Sequence, residues 1–201
     1  MISFCSKFPH FRKYKTFWTL VAAVFVLDQL TKLIVVAAFG WEADAPPTYF
    51  LPGEIGYVPG HDPVAIIPGF FYIVCIDNPG AAFSLLAGWQ IGLSIFALIA
   101  LAAIFFFRKN LELERRPFQI SLGVLAGGIV GNLVDRLARG CVIDFLDVHV
   151  PLVNYRWPAF NVADCAIVVG VILYLFFSLL PQLGRNHPQA KRFNEEETLD
   201  K

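Results

Sequence analysis

Residues 118–137 read FQISLGVLAGGIVGNLVDRL, and this stretch decides how the chain folds. It is long enough to cross the hydrocarbon core of a bilayer, which takes about 20 mostly apolar residues in a helix. Gly123, Gly127, Gly128 and Gly131 recur within it at close to helical spacing. Small residues on one face of a membrane helix let a neighbouring helix approach closely. The stretch therefore predicts a membrane-spanning helix at the centre of a bundle.

Three more segments, at about 17–39, 83–107 and 160–180, are also long and apolar enough to span. The chain of 201 residues is 57% hydrophobic and only 16% charged, which is more apolar surface than a soluble domain of this size can bury. Its formal net charge of zero gives no general attraction for nucleic acid. We therefore predict an integral membrane protein with four transmembrane helices and no nucleic-acid partner.

The basic residues predict the orientation of these helices. With four spans, one side of the membrane holds twelve of the 16 Lys and Arg residues: Lys7, Arg12, Lys13, Lys15, Arg108, Lys109, Arg115, Arg116, Arg185, Lys191, Arg192 and Lys201. Cytoplasmic loops carry the excess of Lys and Arg in membrane proteins. Both termini are thus predicted to be cytoplasmic, with the tail at about 182–201 solvated.

Two segments, at about 40–82 and 138–159, then lie outside the membrane. The first begins with a Pro/Gly-rich loop, and residues 64–67 and 70–74 form two strand-like runs around Pro68-Gly69. The second contains the strand-like run 142–146 and ends on aromatic residues suited to the membrane interface, with Pro158 at the predicted start of the last helix. The predicted fold is a single membrane all-α bundle of four transmembrane helices with a small extracytoplasmic β-rich platform.

Polar residues collect at the outer ends of the predicted spans. A charged side chain inside a span is costly, so such residues are candidates for function. Because four antiparallel spans bring these ends together, we expect one cluster of nine residues: Asp28, Lys32, Asn78, Asn132, Asp135, Arg136, Asp144, Asn161 and Asp164.

Two aspartates in this cluster have different predicted environments. Asp164 falls in the first turn of its helix, where the helix dipole favours the ionised carboxylate. Asp144 has an apolar neighbour on each side, Ile143 and Phe145, which favours the neutral acid. In general acid–base hydrolysis by two carboxyl groups, one activates a water molecule and the other protonates or hydrogen-bonds the carbonyl oxygen. Which aspartate holds the proton stays open at this stage, because a close pair titrates together.

Five blocks of sequence carry a family resemblance. They are DQLTK at 28–32, NPGAAF at 78–83, GGIVGNLVDR at 127–136, VIDF at 142–145 and FNVAD at 160–164. In this order they resemble the successive blocks of the bacterial lipoprotein signal peptidases, the type II signal peptidases. The resemblance covers about residues 27–180. The stretch between the first span and Asn78 is longer than is usual in that family, by an insertion somewhere in 41–62.

The resemblance implies an aspartic endopeptidase of the bacterial cytoplasmic membrane. Such an enzyme removes signal peptides from diacylglyceryl-modified prolipoproteins by cutting just before the lipidated cysteine. Its active site lies at the outer face of the cytoplasmic membrane. The implied catalytic residues are Asp144 and Asp164. The implied supporting residues are Asp28, Lys32, Asn78, Gly128, Asn132, Asp135, Arg136 and Asn161, with a structural part for Asp135. We expect a monomer in contact with membrane lipid, with no metal and no organic cofactor.

Several residues also have simpler interpretations. For Asp28 and Lys32, four apart on one helix, the simpler interpretation is that they only neutralise each other, and for Asp135 it is an interfacial ion pair with Arg136. Asn78-Pro79-Gly80 is an ordinary turn signal.

Other functions remain open from the residues alone. Asp147 and His149 near Asp144 invite a metal-site hypothesis, although the chain has no HExxH motif. A small proton-coupled carrier would also use buried carboxylates, but it predicts a polar path into the cytoplasmic half. A membrane scaffold without catalytic activity would leave the clustered carboxylates unexplained. A disulfide between Cys75 and Cys141 is a further open possibility.

Overall fold

A computed structural model describes residues 13–40, 63–80 and 88–185, with side chains up to 180. Four helices form its frame: α1 (Lys15–Phe39), α2 (Gln90–Phe106), α3 (Arg116–Arg139) and α4 (Val162–Arg185). Helices α1, α3 and the Val162–Leu180 part of α4 are long and apolar enough to cross a membrane, whereas α2 is apolar but has 17 residues. The protein is thus mostly helical and suited to a membrane.

Helix α3 is the central helix, packed against α1, α2 and α4. Its glycines face two different neighbours. A Cβ on Gly127 would lie 2.7 Å from Val24 Cβ in α1, and one on Gly131 would lie 2.5 Å from Asp28 Oδ2. A Cβ on Gly128 would instead collide with the Ala163 carbonyl oxygen in α4. Gly123, Gly127 and Gly131 therefore share a face toward α1, whereas Gly128 faces α4, so the glycines allow two helices to approach α3 at once.

Large apolar side chains cover the outer surface of the bundle. Ile34 in α1, Ile91 and Phe96 in α2 and Phe176 in α4 are each more than half exposed. Apolar surface of this extent is unfavourable in water and is what lipid tails contact in a membrane protein.

Four strands form one antiparallel sheet in chain order: β1 (Val64–Ile67), β2 (Phe71–Asn78), β3 (Val142–Val150) and β4 (Tyr155–Phe160). A 3₁₀ turn at Pro151–Val153 joins β3 to β4. The β1–β2 hairpin turns at Pro68-Gly69, where Gly69 has φ of +79°. The sheet and the end of α1 share a buried cluster formed by Val35, Cys75, Ile143 and Phe145.

The observed elements differ from the predicted ones at the start of the last helix, and some predicted features lie outside the described residues. The last helix begins at Val162, because 155–160 form strand β4, so Pro158 lies in an edge strand and does not start a helix. The described part of the second predicted span begins at Gln90, and residues 81–87 lie outside the described ranges. The predicted insertion at 41–62, the basic residues before Lys13 and the tail from 186 also lie outside them. Cys75 and Cys141 are free cysteines.

Candidate active site

The predicted cluster assembles where the ends of α1 and α3 meet the start of α4 and strands β2 and β3. Strand β2 has a bulge opposite β3. Ile73 pairs with Leu146 and Ile76 pairs with Asp144, so β2 has one more residue than β3 between these two pairs. A bulge of this kind bends a strand and redirects its neighbours' side chains. It lies directly beside Asp144, whose side chain is only 3% exposed.

Asp164 is held by the cap of its own helix. The Asn161 Oδ1 atom accepts a hydrogen bond from the Asp164 backbone N–H at 3.0 Å, and Asp164 Oδ2 accepts one from the Asn161 N–H at 3.1 Å. This reciprocal pair is a capping box built from Asn and Asp. The other carboxylate oxygen, Oδ1, accepts a hydrogen bond from Asn132 Nδ2 at 2.7 Å. The start of α4 and the end of α3 thereby fix the Asp164 carboxylate together.

Asp144 is held by amide groups on both of its oxygens. Asn161 Nδ2 donates to Oδ1 at 2.7 Å, and Asn78 Nδ2 donates to Oδ2 at 2.8 Å. The Asn78 side chain is itself oriented, because its Oδ1 accepts the Gly80 N–H at 2.9 Å. Asn78 thus both forms the turn at Asn78-Pro79-Gly80 and binds Asp144, so the two interpretations of this residue are compatible.

Asn161 and Asn132 join the two aspartates. The fully buried Asn161 contacts Asp144 with its amide nitrogen and Asp164 with its amide oxygen, and its Nδ2 also lies 3.2 Å from Asn132 Oδ1. Asn132 in turn binds Asp164. The structure therefore brings Asp144 and Asp164 into one hydrogen-bonded group from distant parts of the chain.

A buried ion-pair network supports this group from α1. Lys32 Nζ donates a hydrogen bond to Asn132 Oδ1 at 3.0 Å and forms ion pairs with two carboxylates, at 2.9 Å from Asp28 Oδ2 and 2.7 Å from Asp135 Oδ2. Lys32, Asp28 and Asp135 are all fully buried. Asp28 also accepts a hydrogen bond from the Ala163 N–H at 2.9 Å, in the first turn of α4. Asp28 and Lys32 do neutralise each other, but they also position Asn132 and the start of α4.

The predicted ion pair between Asp135 and Arg136 does not form. Asp135 pairs with Lys32 and with Arg139, which is four residues further along α3. Arg136 instead donates to the carbonyl oxygens of Asn132 and Gly80, each at 3.3 Å. The difference follows from helix geometry, since neighbours at i and i+1 point in different directions and neighbours at i and i+4 share a face.

Sequence reasoning missed two members of the network, Gln29 and Arg139. The Gln29 amide donates to Asp28 Oδ2 and to Asp135 Oδ1, each at 3.1 Å. Arg139 could have been found from its i+4 spacing to Asp135. Gln29 carried no comparable signal, because its link to Asp135 depends on how α1 packs on α3.

An open cleft of about 530 Å³ leads away from the two aspartates. Asn78, Asn132, Arg136, Asp144 and Asp164 line its polar end. Most of the remaining wall is apolar and comes from strand β4 and from α4: Trp157, Pro158, Ala159, Phe160, Cys165, Ile167, Val168 and Val169. Pockets of this size that are mostly apolar with a few convergent polar groups are typical ligand sites.

Burial, together with the nearby Asp164 carboxylate, raises the pKa of Asp144 to about 8. Both causes act against the ionised form, the first by desolvation and the second by repulsion between like charges. The sequence-based argument from the apolar neighbours Ile143 and Phe145 predicted this direction.

The residues of the metal hypothesis have other contacts. The Asp147 carboxylate is bound by the Arg156 guanidinium, with Nε 2.8 Å from Oδ1, and His149 Nδ1 lies 3.1 Å from the Gly69 carbonyl oxygen. Within the described ranges, no group of three or more His, Cys, Asp or Glu residues could hold a metal ion. The site's donor set is thus two carboxyl groups with amide partners.

Fold and site together define a membrane protein that holds two buried aspartates at one end of an apolar helix bundle. Comparison with known proteins identifies the family. Residues 20–180 match the family model described as "Signal peptidase (SPase) II", and the chain belongs to that family of proteases.

Individual relatives agree with this assignment. The chain is 38% identical over 155 residues to the lipoprotein signal peptidase of Cupriavidus necator, with 76% of each chain covered. It is 37% identical over 189 residues to that of Azoarcus sp. (strain BH72), covering 90% of this chain and 92% of the relative. A solved chain described as "Bacterial membrane enzyme structure by the in meso method at 2.3 A resolution" superposes with a TM-score of 0.65 at 29% identity, covering 87% of this chain and 93% of the other.

Proposed function

We propose that this protein is an aspartic endopeptidase that removes the signal peptide of diacylglyceryl-modified prolipoproteins, cutting just before the lipidated cysteine. The family and its curated relatives support prolipoproteins as substrates. The observation that carries the aspartic mechanism is the contact of Asn161 with both Asp144 and Asp164 at the polar end of an apolar cleft.

In the proposed reaction, Asp164 acts as the base and Asp144 as the acid. The Asp164 carboxylate takes a proton from a water molecule while the water oxygen bonds to the scissile carbonyl carbon. Protonated Asp144 gives its proton to the carbonyl oxygen, which yields a neutral tetrahedral diol. The proton on Asp164 then passes to the leaving nitrogen as the C–N bond breaks, and a diol proton returns to Asp144 as the carbonyl reforms.

The assignment of roles rests on what each carboxyl group contacts. Asp164 lies at a helix N-terminus and accepts one hydrogen bond from the Asn161 N–H of the capping box and one from the Asn132 side chain, and these contacts favour its ionised form. Asp144 is buried beside that negative charge, which favours its protonated form. Asn132 and Asn161 hold both groups in place, and Arg136 at the polar end of the cleft offers positive charge that can polarise the scissile carbonyl group.

The cleft suits a substrate that stays in the membrane. Its apolar wall includes Val168 and Val169, which are about half exposed on the surface of α4. We propose that the signal helix lies against this wall with the diacylglyceryl chains in surrounding lipid. Anchoring in lipid then fixes the depth of the scissile bond relative to the aspartates, a proximity effect.

The proposed location is the bacterial cytoplasmic membrane, with four spans in a single domain, both termini in the cytoplasm, the site at the outer face and the protein acting as a monomer. The basic residues between α2 and α3, at the end of the bundle opposite the aspartates, support this orientation. The fourth span is proposed to include α2.

The carrier alternative finds no support in the described bundle. It requires a polar path toward the cytoplasmic end, whereas the cluster of side chains buried there is apolar: Tyr14, Phe17, Ile104, Leu113, Leu122 and Ala126. Membership in a protease family also argues against it.

The test is cleavage of a synthetic diacylglyceryl-modified prolipoprotein by the purified chain in liposomes, followed by mass determination of both products. We expect a cut just before the modified cysteine, no cleavage by Asp144→Asn or Asp164→Asn, and no effect of a chelator. Asp147→Asn is the matched control, because it replaces a buried carboxylate of the same strand outside the cleft. Normal processing by Asp144→Asn or by Asp164→Asn, at normal membrane insertion, would exclude the aspartic mechanism.

A further inference from the structure

A second cavity, of about 490 Å³, lies at the end of the bundle opposite the aspartates. Tyr14, which directly precedes α1, and Phe17, Trp18 and Val21 of α1 line one wall, and the facing wall comes from Leu101, Ile104 and Phe105 of α2. Ala126 and Val130 of α3 form its floor. It shares no lining residue with the cleft that holds Asp144 and Asp164, so it is a separate site.

The cavity is a lateral gap between two helices. Its lining is almost entirely apolar, and Trp18 and Phe105, on opposite sides, are each more than a third exposed. An apolar groove open at the side of a membrane bundle admits an acyl chain. The aromatic residues at its end are of the kind that occupy the level of the lipid headgroups.

Arg108 lies at the mouth of this cavity and has spare donors. Its Nη1 donates to the Phe105 carbonyl oxygen at 2.9 Å, and its guanidinium lies 5.1 Å from the centre of the Phe105 ring. A guanidinium has five N–H donors, so most remain available. Within the described ranges, no acidic side chain forms an ion pair with Arg108, whereas neighbouring Lys13 is already paired with Glu114 at 2.5 Å.

We propose that this cavity binds one anionic phospholipid, with an acyl chain between α1 and α2 and the phosphate on Arg108. Basic pockets between transmembrane helices on the cytoplasmic side are known to bind acidic lipid headgroups. The assignment to the cytoplasmic leaflet rests on the proposed orientation, but the binding itself does not. The lipid fills a gap that the protein leaves open and ties α2 to α1.

The experiment measures lipid binding to the purified full-length chain in detergent. Native mass spectrometry counts bound lipid during titration with a phosphatidylglycerol or with a phosphatidylcholine of the same acyl chains, and thermal unfolding is followed in parallel. We expect one tightly bound phosphatidylglycerol, weaker binding of phosphatidylcholine, and a rise in Tm that follows occupancy. Inorganic phosphate alone should neither raise Tm nor displace the lipid, because the acyl chain supplies much of the contact.

Two variants with a matched control decide the site. Arg108→Gln should weaken phosphatidylglycerol binding about fivefold, since a basic residue near an anionic lipid contributes about 1 kcal/mol. Lys109→Gln removes the same charge one residue away, on an exposed side chain that does not line the cavity, and should bind like the wild type. Val21→Phe fills the groove and should remove the tightly bound lipid while the protein stays folded.

Equal affinity for the two lipids, or equal effects of Arg108→Gln and Lys109→Gln, would overturn the proposal. Binding by Val21→Phe at wild-type affinity would do the same. The prolipoprotein assay on the same samples separates this inference from the proposed function. If the wild-type protein binds the lipid specifically but does not cleave the prolipoprotein, the result contradicts the proposed peptidase function and leaves the lipid site intact.

Discussion

Replacement of Gly128 by alanine tests whether the approach of α4 to α3 sets the position of Asp164. The added Cβ would collide with the Ala163 carbonyl oxygen and lie 3.0 Å from Ile167 Cγ1 and 3.1 Å from Ile167 N. Since ordinary contacts begin at 3.4 Å, the start of α4 must move by about 1 Å, a shift that can cost on the order of 100-fold in rate. Overpacking of this kind also costs about 1–3 kcal/mol in stability.

Gly123→Ala is the matched control for this prediction. Its Cβ would lie 2.9 Å from the Phe17 carbonyl oxygen, so the substitution also forces helices apart, but it does so against α1 and away from Asp164. We expect the two variants to unfold at similarly reduced temperatures in detergent, while only Gly128→Ala loses kcat/KM for the lipidated substrate by about 100-fold. Equal kcat/KM in the two variants would refute the reasoning that the α3–α4 contact positions Asp164.

Two further predictions concern protonation and the buried lysine. Because the pKa of Asp144 is raised to about 8, we expect kcat to fall as pH rises through 8. The free energy of unfolding should also decline as pH rises from about 4 to 8, since the folded state then binds more protons than the unfolded state. A kcat that stays constant up to about pH 10 would argue against Asp144 as the acid. Lys32→Met should lower the free energy of unfolding by about 3–5 kcal/mol, because it leaves Asp28 and Asp135 without their shared cation. Denaturant titration measures this free energy of unfolding, and a loss below about 1 kcal/mol would contradict the stabilising role of Lys32 as the shared cation.

The sequence predicted those features that depend on local pattern. The length of the first, third and fourth apolar segments and the turn at Pro68-Gly69 are properties of short stretches, and these are found in the structure, whereas the described helix in the second segment has only 17 residues. The convergence of Asn132, Asp144, Asn161 and Asp164 also followed, because antiparallel spans must bring alternate helix ends together.

What sequence could not supply depends on pairing between distant segments. Residues 155–160 form an edge strand in spite of Pro158, because no other strand among the described residues pairs with its outer edge and a bulge interrupts its pairing with β3 between Trp157 and Phe160. No local signal separates such a strand from an interfacial loop. The division of the α3 glycines between α1 and α4 likewise depends on which helices pack on each side.

The charges around the site give a reason for the proposed pair to hold one proton. Four acids, Asp28, Asp135, Asp144 and Asp164, lie near three cations, Lys32, Arg136 and Arg139. Fully ionised, the cluster would carry one uncompensated negative charge beside an apolar cleft, which is unfavourable in a low dielectric. A single proton removes that charge, and Asp28 and Asp135 already have direct cationic partners, so the proton belongs on Asp144 or Asp164. The same network that fixes the two carboxyl groups in space therefore also favours the singly protonated state that acid–base hydrolysis requires.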